Sequence, residues 1–438
     1  MSSRSAAFSR INGGRRASGP IGTAPPTMWD DAPPARVDPA APEAVEAEAP
    51  FEGAAWPRRI LFVSWRDLAN PTAGGSELLV HQLASGLGER GYEVSLLCGG
   101  PVAPKTSYLV SDAGGQYSQY LRVPLQYLRS FRSADLVVEI CNGMPFLAPL
   151  WRRGPVLCLV NHVHTELWSS RFGPLTAGLG RAIEADVMPR VHRKNLIVTV
   201  SESSRSSLLG IGVPEDRIRV IPQGVAEPPP LVDKTWPPRF VAVGRIVGYK
   251  RIDLLLEMWR SVKQHTGGTL TIIGDGPERE GLESLNAEDV EFTGFVSEAE
   301  KHRLMSEAWL LLHPASWEGW GLVITEAALR GTPSVGFDVP GVRDAIVDGE
   351  TGFLATDPES FKRHWIRLTK EKDLHQKLRE IGMKRSLSYP IKESVNAFEL
   401  VAAEAVTRHH AQSATGRHRA KLFAAGDPST ATTGPVKE

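Results

Sequence analysis

Short apolar runs alternate with helical segments along the first half of the chain. Residues 60–64 form an unalternating apolar run, the kind that a parallel strand buried on both faces requires. Apolar side chains recur at helical spacing in residues 78–87, and residues 92–97 return to a strand pattern, which gives a βαβ start. Further strands are predicted at 136–140, 156–160 and 196–200. This half is therefore predicted to form a parallel sheet covered by helices.

A proline-rich segment separates this half from a second cycle of strands and helices. Residues 226–238 include Pro-Pro-Pro and Trp-Pro-Pro, which neither a helix nor a strand carries through its interior. The elements predicted after it are strand 240–243, helix 253–265, strands 270–273 and 290–292, helix 298–307, strand 309–312, helix 322–330 and strand 334–337. We expect an α/β protein with domains at 58–225 and 239–390, joined by a linker at 226–238.

Both ends of the chain lack the sustained apolar periodicity of a folded domain. Residues 1–57 are rich in Ala, Pro, Gly and Ser and contain an acidic-alanine run at 43–48. Residues 409–438 are similarly polar and rich in small side chains. We predict that residues 1–57 and 409–438 are disordered tails.

Charge and cysteine content narrow the class of protein. Lys plus Arg and Asp plus Glu are balanced at 50 each, which disfavours a nucleic-acid binder and requires that any anionic ligand meet a local cationic patch. The three cysteines, Cys98, Cys141 and Cys158, lie in or beside apolar segments without CxxC spacing, so a disulfide framework or zinc site is not expected.

No apolar run reaches the roughly 20 residues of a membrane span, and none follows the N-terminal arginines as in a signal peptide. We expect a cytoplasmic protein.

Two glycine-rich loops follow predicted first strands. The loop at 70–77 contains Gly74 and Gly75 before a predicted helix. Glycines let the backbone come close to a ligand, and the helix N-terminus attracts an anion. The alternative is a tight turn capped by Ser76 or Glu77. The loop at 244–251 places Arg245 and Lys250 at the carboxyl edge of the second sheet, where α/β proteins bind ligands. Its cations suit phosphate oxygens, and the alternative is a solvated charge run.

Dinucleotide and P-loop proteins are not supported by the glycine motifs. The segment 272–277 runs from a strand into Gly274-Asp-Gly276, but Arg279 stands where GxGxxG needs its third glycine. The chain also has no GxxxxGK[ST] motif.

The richest motif spans residues 313–327 and carries two glutamates, Glu318 and Glu326. On one continuous helix this spacing corresponds to about 12 Å and about 80°, too far for the paired carboxylates of a glycosidase, which lie ~5 to 9.5 Å apart. We therefore expect them to serve different parts of one long ligand, Glu318 at sugar hydroxyls and Glu326 at a ribose. The alternative for Glu326 is a residue on the helix surface.

Taken in order, these motifs resemble a known enzyme family. Residues 58–405 resemble the retaining glycosyltransferases of family 4, whose GT-B fold has two Rossmann-like domains with parallel sheets facing across a cleft. The resemblance rests on Gly74-Gly75-Ser-Glu77, Ser201-Glu-Ser-Ser204, Ile221-Pro-Gln-Gly224-Val, Gly244-Arg245 with Lys250, Gly274-Asp-Gly276-Pro277, and the pair Glu318 and Glu326.

The resemblance implies a role for each matching position. Gly74 and Gly75 would approach the donor phosphates, Arg245 and Lys250 would neutralise the diphosphate, and Glu326 would hold the ribose. Further donor contacts would come from Glu318, from the backbone of Gly319, Trp320, Gly321 and Leu322, from Gly274, and from Val296 near the base. The fold also implies that a helix at 391–408 crosses back to the first domain.

A histidine after a first-domain strand lies beside the transferred sugar in such enzymes. The matching stretch here is Val160-Asn161-His162-Val163-His164, and we favour His162, with His164 as the alternative.

Two positions depart from the family pattern. Gln223 stands where Asn is usual, which leaves its positive-φ geometry strained or shifted. Asp344 stands where Glu is common, which puts a role for that carboxylate in doubt.

The resemblance implies a mechanism and leaves alternatives open. We favour a same-face displacement in which the leaving diphosphate helps to deprotonate the acceptor hydroxyl. The chain has no Asp-x-Asp, so we expect metal-independent transfer without a cofactor other than the nucleotide-sugar co-substrate. A nucleotide-sugar epimerase on the same fold and a non-catalytic nucleotide-sugar-binding protein are the alternatives.

The donor and the acceptor are not specified by the sequence. GDP-mannose, UDP-glucose and UDP-N-acetylglucosamine all fit a glutamate-anchored hexose, and the acceptor would be a glycan, such as a cell-envelope polysaccharide, or a lipid-linked sugar. Two basic groups in the first domain suggest peripheral contact with the inner face of a membrane, with an ordinary solvated face as the alternative. They are Arg122, Arg129 and Arg132, and Arg190, His192, Arg193 and Lys194.

Overall fold

The computed structural model describes residues 55–102, 107–164, 168, 173–227, 230 and 232–425, with side chains as far as 415.

The first sheet belongs to the first domain, and the central residues of its strand β1 are fully buried. In this domain the strands are β1 (Arg59–Arg66), β2 (Glu93–Gly99), β3 (Leu109–Asp112), β4 (Leu136–Cys141), β5 (Val156–Val160), β6 (Ile197–Thr199) and β7 (Ile218–Val220). They pair in parallel in the order β3-β2-β1-β4-β5-β6-β7.

Helices connect these strands and cover the sheet. They are α1 (Gly75–Glu89), α2 (Gln119–Gln126), α3 (Ala148–Trp151), α4 (Pro174–Ala182), α5 (Met188–Val191) and α6 (Glu202–Gly210), with π-helical turns at Tyr127–Phe131 and Ile183–Val187 and a 3₁₀ turn at Glu215–Arg217. Leu79, Leu83 and Leu87 of α1 pack onto Phe62 and its neighbours, since their spacing places them on one face.

The second domain repeats the pattern. Its strands are β8 (Arg239–Val243), β9 (Thr269–Ile273), β10 (Val290–Gly294), β11 (Leu310–His313), β12 (Ser334–Phe337) and β13 (Gly352–Ala355), parallel in the order β10-β9-β8-β11-β12-β13. Its helices are α7 (Ile252–Thr266), α8 (Arg279–Glu283), α9 (Glu298–Glu307), α10 (Leu322–Leu329), α11 (Val342–Ala345), α12 (Pro358–Lys370) and α13 (Lys372–Ser386), with a 3₁₀ turn at Gly248–Lys250. Stacked Trp259 and Trp365 lie at the centre of its core. The two parallel α/β sheets agree with the predicted fold class.

The last helix, α14 (Ile391–Ala425), packs against the first domain. Phe398 stacks on Phe62 with 5.8 Å between ring centroids, and the Tyr92 hydroxyl donates to Glu399 over 2.6 Å. This helix corrects the predicted C-terminal tail, because residues 409–425 are helical. That stretch is rich in alanine and free of proline, and alanine is the strongest helix former. Residues 426–438, and residues 1–54 of the predicted N-terminal tail, lie outside the described residues.

The end of the linker is bound to the second domain. Thr235 N donates to Glu307 O over 3.0 Å, and Trp309 Nε1 donates to Thr235 O over 2.6 Å. Lys234 Nζ donates to Ser306 O over 2.9 Å and to Thr332 Oγ1 over 2.6 Å. These bonds fix residues 234 and 235 to α9, β11 and the turn before β12.

Within the described part of the chain, no helix is both long enough and apolar enough to cross a membrane.

Candidate active site

Two glycine turns at the carboxyl edge of the second sheet pack backbone against backbone. Gly244 and Gly274 follow β8 and β9 with φ of 144° and 132°, and Ile246 N donates to Asp275 O over 2.9 Å. A Cβ at Gly274 would lie 2.1 Å from Gly244 O. Gly274, predicted to contact the donor, therefore has a packing reason to be glycine, and it shapes the loop that presents Arg245.

Lys250, Glu318 and His313 form one partly buried charged group at this edge, in which His313 is fully buried. Lys250 lies in the 3₁₀ turn after β8, and its ammonium forms an ion pair with Glu318 Oε1. His313, the last residue of β11, places Nε2 2.8 Å from the same oxygen. Lys250 and Glu318 were predicted to bind the diphosphate and the sugar, respectively, and their side chains are in direct contact.

The ionisation of this group follows from its neighbours. Burial would raise the pKa of Glu318, but the Lys250 charge and the His313 hydrogen bond lower it to about 2. Burial would lower the pKa of Lys250, and the Glu318 carboxylate outweighs it and raises that pKa. Burial also lowers the pKa of His313, and Glu318 opposes this only in part. At neutral pH, the group therefore holds an ammonium and a carboxylate in contact, beside Arg245.

The loop after Glu318 is held by close backbone contacts. Glu318 N donates to Pro340 O over 3.2 Å, and a Cβ at Gly341 would lie 2.3 Å from Glu318 O. Trp320, predicted to contact the donor, is buried against Tyr389 with 5.3 Å between ring centroids. Its side chain therefore belongs to the core.

The end of this loop starts α10. Gly321 has a φ of 76°, the left-handed region that favours glycine. Leu322, the first residue of α10, packs its side chain on the first-domain core. The side chains of Trp320 and Leu322 thus pack in or on the core, and donor contact by the backbone of residues 319–322 stays a prediction.

Glu326 lies on α10, away from the Lys250 group. Its carboxylate accepts from Lys301 Nζ over 3.3 Å, and burial raises its pKa while Lys301 and Arg330 oppose that rise. Glu298, His302 and Glu326 place possible ligand atoms within 4.8 Å of one another. Lys301 Nζ also lies 2.7 Å from Glu298, so one ammonium already contacts both of these carboxylates. Glu318 and Glu326 thus have different partners, and their roles at the sugar and the ribose stay predictions.

Val296, the residue expected near the base, is half-buried beside the second sheet. It packs against the apolar cluster that includes Ile273 and Leu304, whereas the neighbouring Phe295 is exposed. The preceding Gly294 has a φ of 69° and accepts from Gly274 N over 3.0 Å. The turn that carries Val296 is therefore tied to the glycine turn after β9.

His162 reaches the second domain from the end of β5. Its ring centroid lies 3.8 Å from that of Trp317 and 3.9 Å from that of His164. A Cβ at Gly319 would lie 3.3 Å from His162 Nδ1. The structure thus brings the favoured histidine against the loop that carries Glu318.

His164 is held by a buried carboxylate that the sequence analysis missed. Glu184, in the π-helical turn after α4, accepts from His164 N over 2.9 Å and lies 3.0 Å from His164 Nδ1. Its second oxygen accepts from Trp168 Nε1 over 2.9 Å. No sequence pattern pointed to Glu184, because it stands 20 positions from its partner and shares its turn with a second acidic residue, Asp186.

The N-terminus of α1 is fixed by Glu77 and Gln223. Gly74 N donates to Glu77 Oε2 over 2.7 Å, and Glu77 Oε1 accepts from Arg66 Nε over 3.0 Å. Gln223 Nε2 donates to Gly75 O over 3.2 Å. The expected strain at Gln223 is not found, because Gln223 is outside the positive-φ residues and its longer side chain spans the gap to α1.

Serines and Asp344 connect the two domains beside this site. Ser201 Oγ donates across the domains to Gly319 O over 2.7 Å, and within the first domain Ser204 Oγ donates to Asn161 O over 2.8 Å. Asp344 accepts from Gly341 N over 3.0 Å and from Ser203 N over 3.1 Å. Asp344, doubtful from the sequence, therefore holds the 340–344 turn against α6.

Two family models match consecutive parts of the chain. The model described as Glycosyltransferase Family 4 matches residues 73–227, and the model described as Glycosyl transferases group 1 matches residues 228–385. The two matches together include the histidine pair, the α1 N-terminus and the Lys250 group.

Curated relatives and one solved structure are also similar to this chain. Glycogen synthase of Mycobacterium tuberculosis is 29% identical over 209 residues, 44% of this chain and 50% of that protein, so the match spans half of the synthase. An uncharacterized glycosyltransferase of Haemophilus influenzae is 26% identical over 302 residues, 65% of this chain and 82% of that protein. The structure of Anabaena HepE with UDP and glucose matches with a TM-score of 0.62 and 18% identity, over 77% of this chain and 97% of that one. At this identity the likeness concerns the fold, and it confirms the predicted architecture.

Proposed function

Because the chain belongs to the glycosyltransferases of family 4, also described as group 1, we propose that it transfers a hexose from a nucleotide-diphosphate sugar to an acceptor with retention of configuration. The observation that carries the proposal is the Lys250–Glu318 pair at the carboxyl edge of the second sheet. The adjoining Gly319 lies against His162 of the first domain. Cations for a diphosphate and polar groups for a sugar thus meet between the domains.

Arg245 and Lys250 are the proposed diphosphate ligands. Both lie on the turn after β8, where ligands of open parallel sheets bind. The raised pKa of Lys250 keeps its ammonium charged at neutral pH. Arg245 offers a fork of donors to phosphate oxygens, and Lys250 offers a point charge.

Glu326 is the proposed partner of the ribose. Its carboxylate lies near the start of α10, half-buried and held by Lys301, so its oxygens have a fixed direction. A carboxylate can accept from both ribose hydroxyls. The turn that carries Val296 would then lie near the base.

The transfer step is proposed as a same-face displacement. The acceptor hydroxyl oxygen bonds to the anomeric carbon as the bond from that carbon to the diphosphate oxygen breaks. The hydroxyl proton passes to the departing diphosphate oxygen, and Arg245 and Lys250 stabilise its negative charge. His162, against the 317–319 loop, would contact the sugar, and closure of the domains would exclude water.

Arg245 and Lys250 take the place of a metal ion at the diphosphate, so we propose metal-independent transfer. The donor is GDP-mannose or a UDP-hexose, and the acceptor is a glycan or a lipid-linked sugar. The protein would act in the cytoplasm, with peripheral contact at the inner face of the membrane.

A product assay tests this proposal. The full chain is incubated with each of GDP-mannose, UDP-glucose and UDP-N-acetylglucosamine, with and without glycan and lipid extracts, in EDTA or in magnesium. The expected result is acceptor-dependent release of one nucleoside diphosphate, equal in EDTA and magnesium, with the donor's anomeric configuration in the product. An altered nucleotide sugar formed without acceptor would indicate an epimerase instead.

A further inference from the structure

One face of the first domain exposes leucines and arginines side by side. On α2 and the π-helical turn after it, Leu121, Leu125 and Leu128 are 78%, 54% and 48% exposed. Arg122, Arg129 and Arg132 are exposed on the same segment. We call these six residues the leucine–arginine face.

The leucines point outward because other residues of the segment fill the core. Gln119, Val123 and Tyr127, spaced by four, are buried against the first sheet. This spacing places them on one side of the helix, and leaves Leu121, Leu125 and Leu128 on another. A soluble surface helix normally carries polar side chains there, so exposed leucines at three successive turns need an explanation.

The arginines of this face lack acidic neighbours. Residues 113–134 contain no Asp or Glu. Among the described residues, Arg122, Arg129 and Arg132 form no ion pair, whereas the half-exposed Arg303 and Arg367 pair with glutamates at 2.6 and 3.1 Å. The charge on this face is therefore uncompensated.

A neighbouring helix extends the surface. Trp151 of α3 lies 5.0 Å from the Tyr127 ring, which places α3 beside the π-helical turn. The adjacent Leu150 is 69% exposed, and Arg153 is exposed as well. Two separate segments thus present the same combination of leucine and arginine.

We propose that the leucine–arginine face docks on the surface of a lipid bilayer that contains anionic headgroups. Exposed leucines can enter the boundary between headgroups and acyl chains, and arginines beside them can pair with lipid phosphates. This specifies the membrane contact within the proposed function. Vesicle binding needs no donor or acceptor, so its failure would leave the transferase proposal standing.

The charge pattern argues against a second copy of this chain as the occupant. In a symmetric dimer through this surface, the leucine–arginine faces of the two copies would contact each other. At least three arginines from each copy would then meet without an acidic partner from this segment, and like charges repel. An anionic surface has the complementary sign.

Co-sedimentation with vesicles tests the proposal. The full chain is mixed at low salt with vesicles of phosphatidylcholine alone or with 30 mol% phosphatidylglycerol. The variants are L121S/L125S/L128S and R129Q/R132Q, and the controls are L285S/L387S, at exposed leucines elsewhere, and R367Q. Far-ultraviolet circular dichroism and melting temperature check the fold of each variant.

The expected result is binding to the anionic vesicles only, weakened by salt. Partitioning should fall roughly fivefold for each arginine removed, and should be abolished in the triple leucine variant and unchanged in both controls. Absence of wild-type binding, or equal binding by wild type and face variants, would overturn the proposal. A wild-type dimer that the leucine variant converts to a monomer, without vesicle binding, would assign the face to a second copy.

Discussion

The Lys250 ammonium and the Glu318 carboxylate form a partly buried ion pair that joins the turn after β8 to the loop after β11. Glu318 holds the lysine in place, and His313 Nε2 contacts the same carboxylate oxygen of Glu318 over 2.8 Å. A diphosphate that binds Lys250 would therefore meet a cation whose position is already fixed. Such preorganisation lowers the cost of stabilising a developing charge.

Replacing Glu318 with glutamine should impair transfer without unfolding the protein. The amide keeps the size of the side chain but loses the charge that holds Lys250, so kcat/KM for the donor should fall about 100-fold. Steady-state kinetics of nucleotide release would measure the change. Glu350→Gln, at an exposed site of the same domain, is the control, and equal activity of the two variants would refute the role of Glu318.

Replacing Glu184 with glutamine should misplace His164. The carboxylate accepts three hydrogen bonds, two from His164 and one from Trp168, and an amide group cannot accept at both ends. We expect kcat to fall about tenfold or more, with little change in donor affinity. Stopped assays and donor titration separate the two effects. Glu202→Gln, at an exposed first-domain site, should behave as wild type; a Glu184 variant with normal kcat would show that His164 needs no fixed orientation.

Lys234 should make stability depend on pH. Burial, with a smaller contribution from Arg379, lowers its pKa to about 6, far below the usual 10.5. Between these values the unfolded chain binds the proton that the folded chain lacks, so stability rises with pH across this window. Lys234→Met removes that dependence.

From pH 7 to pH 9 the free energy of unfolding of the wild type should therefore increase by about 1 kcal/mol or more relative to that of Lys234→Met. Urea unfolding at the two pH values measures this difference. Lys372→Met, at an exposed lysine over Trp236, should leave the pH dependence unchanged. A Lys234 variant with the wild-type pH dependence would mean that the lysine is protonated in the folded state.

Gly274 should tolerate no side chain. Its φ of 132° and the 2.1 Å separation of a Cβ from Gly244 O mean that alanine forces the two turns apart. The free energy of unfolding should fall by about 2 to 4 kcal/mol, and donor affinity should fall with it. Gly281, in α8 with open space around its Cβ position, is the matched control, and Gly281→Ala should stabilise by about 0.5 to 1 kcal/mol. Equal unfolding midpoints for the two variants would contradict this explanation.

Much of the fold could be predicted because buried parallel strands leave continuous apolar runs. The runs at 60–64 and 156–160 correspond to β1 and β5 within one or two residues. The short strands β3, β7 and β13 were not predicted, because three or four residues, partly exposed in β3 and β7, give no periodicity. Residues 409–425 look like a tail by composition, but their alanines allow α14 to continue.

The site was predictable as a set of residue types but not as a set of contacts. Lys250 and Glu318 were each selected from their motifs, yet their pairing depends on two loops 68 residues apart meeting in space. Glu184 could not be selected from a sequence motif, because its partner His164 lies 20 residues earlier, on the other side of α4. The backbone of Trp320 was predicted to contact the donor, and the motif did not show that the side chain packs in the core against Tyr389.

The most direct test of the account is thermal stabilisation by nucleotides and nucleotide sugars, measured on wild type and on Lys250→Ala and Glu326→Ala. A donor at 100 times its dissociation constant should add about 2.7 kcal/mol to the wild type. The account predicts a shift for donors of one base, lost in both variants and kept in Glu350→Ala at an exposed site. No shift for any nucleotide, or a shift that both variants retain, would contradict a donor site built on Lys250 and Glu326.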